Sequence, residues 1–196
     1  WPQSEEYVKS TVYGDGSNCL IRWAEGSTLR FAFTSDLGRY DSFLAEMAAE
    51  ASKWARLPVV ALPAGDPSAN VVFSVDPAEV DAQDALAFAR RTFSGGSCKI
   101  IGGEVKFIAT TNIDGGYRTN TLLHEIGHIL GLGHSPDPND VMSVLPDRTT
   151  VRRYSGNEGL ALTMMYVRRR AGNAFPDNER LGLSSLRPSS ETIACR

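Results

Sequence analysis

Residues 121–134 read Thr-Leu-Leu-His-Glu-Ile-Gly-His-Ile-Leu-Gly-Leu-Gly-His, and the rest of the chain can be interpreted from them. The apolar residues recur at helical spacing, which predicts a helix packed on a sheet. His124 and His128 are four residues apart, so both imidazoles project from one face of that helix. Gly131, or the glycine two residues further on, ends the helix, because glycine adopts the left-handed C-cap conformation without strain. The chain can then turn back and bring His134 to the other two imidazoles.

Three neutral imidazoles are the ligand set of many catalytic zinc sites, in which water takes the open fourth position. Glu125 lies between the two helical histidines and about 100° around the helix from His124. We expect Glu125 to act as the general base toward the zinc-bound water and then to return the proton to the leaving amine. The chain has three histidines, and all of them belong to this cluster. The alternative, a core helix with incidental histidines, does not explain the third histidine or its glycine.

The run from His124 to His134 matches the pattern HExxHxxGxxH, and Met142 follows in Asn-Asp-Val-Met-Ser. This combination resembles the metzincin clan of zinc endopeptidases, whose Met-turn forms a hydrophobic base beneath the metal. Ser135 and Pro138 make the segment most similar to the matrixins, the family of the matrix metalloproteinases. The resemblance implies an α+β fold with a twisted mixed five-stranded sheet, the active-site helix beneath it and a small C-terminal subdomain.

Weaker similarities to the matrixins extend over about residues 19–166 and concern substrate binding. The stretch 78–93 is ambiguous by itself, because its alanines suit a helix and its alternation suits an edge strand. The resemblance favours the strand, to which an extended peptide can add through backbone hydrogen bonds. It then implies that Leu86 and Ala87 bind the substrate backbone. The wall of the specificity pocket is expected to consist of Val144, Leu145 and Pro146.

We expect one catalytic zinc ion per chain, since no histidine remains for the second, structural zinc of the matrix metalloproteinases. Calcium (Ca2+) sites have no support beyond the acidic residues Asp76 and Asp114, and turns rich in aspartate are usually only turns. The short form resembles bacterial members of the family.

The length of 196 residues, with 42% hydrophobic and 22% charged residues, indicates one globular domain. We divide it into an N-terminal segment, 1–18, a catalytic domain, 19–170, and an irregular C-terminal tail, 171–196. The net charge of −3 gives no reason to expect a nucleic-acid partner. No apolar stretch approaches the roughly 20 residues that a membrane-spanning helix needs. We expect a monomer whose partner is a protein or peptide substrate.

Cys19, Cys98 and Cys195 allow one disulfide with a free thiol, or three thiols. The resemblance implies a secreted protein, in which a disulfide such as Cys19–Cys98 is the favoured arrangement. Related zymogens place a cysteine or aspartate from an upstream segment on the zinc. Cys19 and Asp15 lie in that region, but neither belongs to a recognisable switch motif.

The sequence therefore favours a secreted zinc endopeptidase. The main alternative is a latent or non-catalytic protein that contains zinc and binds a peptide or partner on the same fold, although Glu125 argues against it. A third interpretation is a self-inhibited form, in which residues 1–18 or the tail 171–196 cover the cleft. Residues 1–18 are a candidate remnant of a pro-segment.

Overall fold

The structure is a computed structural model, and it describes residues 7, 10–12, 20–94, 98–114, 121–144, 153–168 and 189–195. Its strands are β1 Arg22–Trp23, β2 Leu29–Phe33, β3 Val59–Ala61, β4 Val71–Val75, β5 Ala87–Ser94, β6 Lys99–Phe107 and β7 Ser189–Cys195. Its α-helices are α1 Asp41–Ala55, α2 Pro77–Asp81, α3 Thr111–Asp114, α4 Thr121–Ile129 and α5 Gly156–Thr163. A 3-10 helix, Ser35–Tyr40, precedes α1, and a π-helical turn, Met164–Arg168, follows α5.

Within these described residues the strands form one mixed sheet in the order β3-β2-β4-β6-β5-β7, with β1 also paired to β6. Strands β3, β2, β4 and β6 pair in parallel, whereas β5 is antiparallel to β6. The predicted α+β class with a mixed sheet is confirmed. The expected number of five strands was too low, because β1 and β7 join the sheet as well.

The core lies between the sheet and the helices. On β2 the buried residues Leu29, Phe31 and Phe33 point to the core in alternation, as the period of a half-buried strand requires. Phe31 packs edge-to-face against Phe73 of β4, with 5.3 Å between the ring centroids. Helix α1 contacts β2 and β3 and also packs against α4.

Helix α4 lies against β5 and β6. The approach is close at Gly103 of β6, where a Cβ atom would lie 2.7 Å from Cδ1 of Ile129. The absence of a side chain at this position therefore lets the histidine-bearing helix sit directly on the sheet.

The ambiguous stretch 78–93 contains both structures in succession. Asp76 caps the short helix α2 by accepting a hydrogen bond from the amide of Glu79, with 3.1 Å between the atoms, and β5 begins at Ala87. The prediction of an irregular tail over 171–196 was wrong for residues 189–195, which form β7. Their sequence carries no strong apolar alternation, so pairing with β5 rather than local propensity accounts for the strand. None of the described helices is long and apolar enough to span a membrane.

Candidate metal centre and active site

The three histidines converge. One ring nitrogen from each of His124, His128 and His134 lies within 4.8 Å of the others. The Nε2 atoms of His124 and His128 are 3.1 Å apart. Two nitrogens bound tetrahedrally at 2.0–2.1 Å from a zinc ion are about 3.3 Å apart. The donor set and its spacing therefore fit one zinc ion, with the half-buried His134 on the more accessible side.

Hydrogen bonds at the other ring nitrogens fix the tautomers of the two helical histidines. Nδ1 of His124 lies 2.6 Å from the carbonyl oxygen of Val141, and Nδ1 of His128 lies 2.9 Å from that of Leu132. Because a carbonyl oxygen only accepts, each Nδ1 carries the proton and each Nε2 lone pair is left for a metal.

Burial also favours the neutral rings. It lowers the pKa of His124 to about 4 and the pKa of His128 well below its ordinary value. Both imidazoles are therefore unprotonated near pH 7, as metal binding requires.

Glu125 is fully buried beside these ligands. The converging ligand atoms belong to the three histidines alone among the described His, Cys, Asp and Glu residues. Because an α-helix turns by about 100° per residue, the side chain of Glu125 projects about 100° around the helix from that of His124. A buried carboxylate next to a metal centre is a candidate proton carrier.

The turn after α4 is a Schellman motif centred on Gly131. The amide of Leu132 donates to the carbonyl oxygen of Gly127, and the amide of Gly131 donates to that of His128, both at 2.9 Å. Gly131 has a φ of +105°, and a Cβ atom there would lie 2.1 Å from the carbonyl oxygen of Ile21. Glycine is therefore required on both counts, and the reversal that it permits delivers the third ligand.

A family model described as Matrixin matches residues 76–157, which include all three histidines and the turn between them. Over this region the chain is similar to the matrixins. No curated protein matches the chain. The match and the converging histidines together point to a zinc metallopeptidase.

Three side chains from other parts of the molecule cap the carbonyl end of α4. Nη1 of Arg91 on β5 lies 3.2 Å from the carbonyl oxygen of His128. Nε1 of Trp23 donates to the carbonyl oxygen of Ile129 at 2.8 Å, and the hydroxyl of Tyr166 donates to that of Leu130 at 2.6 Å. The last carbonyls of a helix have no partner within it, so these donors fix the end of the ligand-bearing helix.

Met142 packs against α4, whereas its role as the base of a metal site stays a prediction. It is fully buried, and a Cβ atom on Gly127 would lie 2.2 Å from its Sδ atom. The amide of Met142 donates to Oε1 of Glu158 at 2.6 Å. Glu158 is also the third residue of α5, where it forms a capping box with Ser155. One buried carboxylate thus joins the Met-turn to the C-terminal helix.

The pKa of Glu158 is raised to about 7, first by burial and then by the charge of Asp140. The sequence argument missed this residue. The pattern Ser155-x-x-Glu158 ahead of apolar residues was the available signal, since it is typical of a capping box. Arg91 and Tyr166 carry no comparable local signal.

The N-terminal segment contacts the chain on both sides of His134. The Tyr7 hydroxyl donates to Oδ2 of Asp140 at 2.7 Å, and the amide of Gly133 donates to the carbonyl oxygen of Thr11 at 3.0 Å. The side chains of Tyr7 and Thr11 are buried. These contacts attach the described part of segment 1–18 to the third-ligand loop, whereas its interpretation as a pro-segment stays a prediction.

The predicted substrate-binding residues are placed in different surroundings. Leu86 is half-buried, and its carbonyl oxygen accepts from the amide of Ile108 at 2.9 Å. Ala87 is the first residue of β5, and Val144 is 55% exposed just after the Met-turn. Leu145 and Pro146 lie outside the described residues.

Two further sets of predictions concern the cysteines and calcium. Cys98 is disulfide-bonded, while Cys19 lies outside the described residues, as does Asp15, so the pairing with Cys19 stays a prediction. Asp76 takes part in the cap of α2 and in an ion pair with Lys106, and the calcium prediction is likewise untested.

Proposed function

We propose that this protein is a matrixin-like, secreted zinc-dependent endopeptidase in which Glu125 assists the attack of water on the peptide bond. The observation that carries the proposal is the convergence of three imidazole nitrogens next to a fully buried glutamate. Burying polar imidazoles and a carboxylate costs free energy. A helix with a purely structural role would avoid that cost.

His124, His128 and His134 would hold the zinc ion through ring nitrogens. The ion, when bound, supplies Lewis acidity that lowers the pKa of a coordinated water and polarises the scissile carbonyl. Glu125 takes a proton from the attacking water onto a carboxylate oxygen. The same oxygen then donates that proton to the nitrogen of the leaving amine, so the carboxylate is regenerated.

The surrounding residues contribute orientation. The carbonyl oxygens of Val141 and Leu132 hold the rings of His124 and His128 in the ligating tautomer. Secretion is supported by the disulfide at Cys98, because disulfides persist mainly in oxidising compartments. The proposed substrate is an extended peptide segment of a protein.

The test measures zinc content and cleavage of a quenched fluorescent peptide library by the wild-type chain, Glu125→Gln and Glu104→Gln. Glu125→Gln keeps the shape of the side chain but removes the base. We expect one zinc per chain in all three proteins, and a loss of cleavage of about a hundredfold or more in Glu125→Gln alone. Glu104 is a half-exposed residue of β6 and serves as the matched control.

Zinc without cleavage by any of the three proteins would instead favour the alternative of a latent or non-catalytic peptide-binding protein. Absence of zinc from the wild-type chain after reconstitution would overturn the metal site and with it the proposal.

A further inference from the structure

Strand β7 occupies the outer edge of β5. The two strands are antiparallel over seven residue pairs, from Ala87 opposite Cys195 to Phe93 opposite Ser189. A free edge of this kind exposes a row of backbone amides and carbonyls that can pair with another extended chain. Here the C-terminal segment of the same molecule takes that place.

Strand β5 is also the strand nearest to the metal-binding helix. Helix α4 packs against β5, and Arg91 of β5 reaches the carbonyl oxygen of His128 at 3.2 Å. The β5–β7 ladder ends at Ala87, one residue from Leu86. The segment that pairs with β5 is therefore separated from the histidine-bearing helix by a single strand.

The described side chains of β7 provide little anchorage. Thr192 is exposed and accepts a hydrogen bond from Nε of Arg90 at 3.0 Å. Ile193 and Ala194 are half-buried, and Ala194 packs on a small apolar cluster of Val80, Ala85 and Phe88. The backbone ladder thus provides most of the described contact, and any extended peptide can offer the same ladder.

From these contacts we infer that the outer edge of β5 is an exchangeable peptide-docking edge, and that β7 is its resident intramolecular occupant. An extended substrate must displace β7 before it can pair with β5. Because β7 is tethered, it competes at an effective concentration in the millimolar range. The inference rests on the proposed function, since it names the element that limits access to that site.

The first test uses the full chain with the double substitution Thr192→Pro and Ile193→Pro. Successive residues of a strand direct their amides to opposite edges, so one of the two residues directs its amide toward β5. Two adjacent prolines therefore remove one hydrogen-bond donor of the β5–β7 ladder. We expect kcat/KM for the library peptide to rise about tenfold, mainly through a lower KM, because the open state becomes more populated. Val60→Pro, in β3 at the opposite edge of the sheet, controls for destabilisation without release of β7.

A milder variant keeps the inference testable if the double variant does not fold. Thr192→Ala removes only the hydrogen bond from Arg90 and is expected to raise kcat/KM about twofold to threefold. Unchanged kcat/KM in every folded β7 variant, with cleavage intact, would overturn the inference and leave the proposed function standing.

A binding measurement separates the two proposals if no protein cleaves the library. A fluorescein-labelled peptide of residues 189–194 is titrated into the wild-type chain and into a β7 variant. The variant is the double-proline variant if it folds, and Thr192→Ala otherwise. Tighter binding to the variant than to wild type would support the docking edge although the peptidase proposal has failed. Equal or undetectable binding to both proteins would overturn the docking edge as well.

Discussion

The region that matches the matrixin model holds two clusters of polar side chains that differ in burial. The histidine cluster is largely buried, and two of its rings are tied to backbone carbonyls. The ion-pair cluster lies on α2 and its N-cap residue and on β5 and β6. It is partly exposed, and its members bind one another. It consists of Asp76, Glu79, Arg90, Glu104 and Lys106.

The ion-pair cluster attaches α2 to the sheet. Lys106 pairs with Asp76 at 3.2 Å and also with Glu79, while Arg90 lies 2.7 Å from Glu79 and also pairs with Glu104. The hydrogen bond from Lys106 is the main cause that lowers the pKa of Glu79, and the same bond raises the pKa of Lys106. Water screens such pairs, so their contribution to stability is small.

The comparison shows why the number of polar groups is a poor guide to function. The five charged residues of the ion-pair cluster form ion pairs with one another and do not direct a common set of ligand atoms at one point. The three imidazoles instead converge on a common point, and two of them are buried and neutral. Such an arrangement is useful when a cation fills that point. The predictions below test this contrast, beginning with the largest expected effect.

Gly131→Ala should disrupt the histidine cluster. The new Cβ combines an unfavourable positive φ with a backbone clash at Ile21, and we expect a loss of about 4 kcal/mol in the free energy of unfolding. Zinc affinity should fall too, since the turn carries His134. Gly26→Ala is the matched control, because Gly26 has a φ of +77° but no atom within 4 Å of the added Cβ; about 1 kcal/mol is expected there. Similar losses in both variants, measured by urea unfolding, would contradict the role assigned to the turn.

Removal of zinc should destabilise the chain through the same cluster. A ligand present at about 1,000 times its dissociation constant stabilises the folded state by about 4 kcal/mol. Chelation should therefore lower the melting temperature, and added zinc should restore it. The Lys106→Met variant should respond to the chelator in the same way as wild type. A melting temperature that does not change on chelation of zinc-loaded protein would contradict the assignment.

Glu158 should make stability depend on pH. Its ordinary pKa near 4.5 is raised to about 7 in the folded protein, so the unfolded chain releases this proton at a lower pH than the folded chain. The free energy of unfolding therefore falls as the pH rises from about 4.5 to about 7, by about 2–3 kcal/mol from this group. Glu158→Gln should remove that contribution. Urea unfolding of both zinc-loaded proteins across this pH range checks it, and parallel pH profiles would show that Glu158 does not titrate as stated.

Lys106→Met should have the smallest effect. It removes a charge from the ion-pair cluster while most of the apolar stem remains. We expect a slight loss of stability at low ionic strength that disappears in about 1 M salt, where the Debye length is about 3 Å. Zinc content should not change. A large loss of stability that persists at high salt would show that this cluster is not merely a solvated surface network.

The sequence was sufficient for the features that depend on local spacing. The helical pair His124 and His128 and the breaker at Gly131 follow from periodicity and motif. The α+β class follows from the family resemblance that the motif carries. Strand β7 did not follow, because its stability comes from pairing with β5, about a hundred residues earlier in the chain. The helix-capping hydrogen bonds from Arg91 and Tyr166 could not be predicted from the sequence either. A side chain that donates to a carbonyl far away in the chain leaves no local sequence pattern.

The three caps on α4 also have a consequence for the order in which the site is assembled. Trp23 precedes the matrixin match at residues 76–157, and Tyr166 follows it. During synthesis all three histidines leave the ribosome before Tyr166 does, so the helix end that orients two of them is completed only by later residues. A fragment limited to 76–157 would contain every ligand and still lack two of the groups that hold them in place. The segment that carries the chemistry is thus shorter than the segment that must fold to support it.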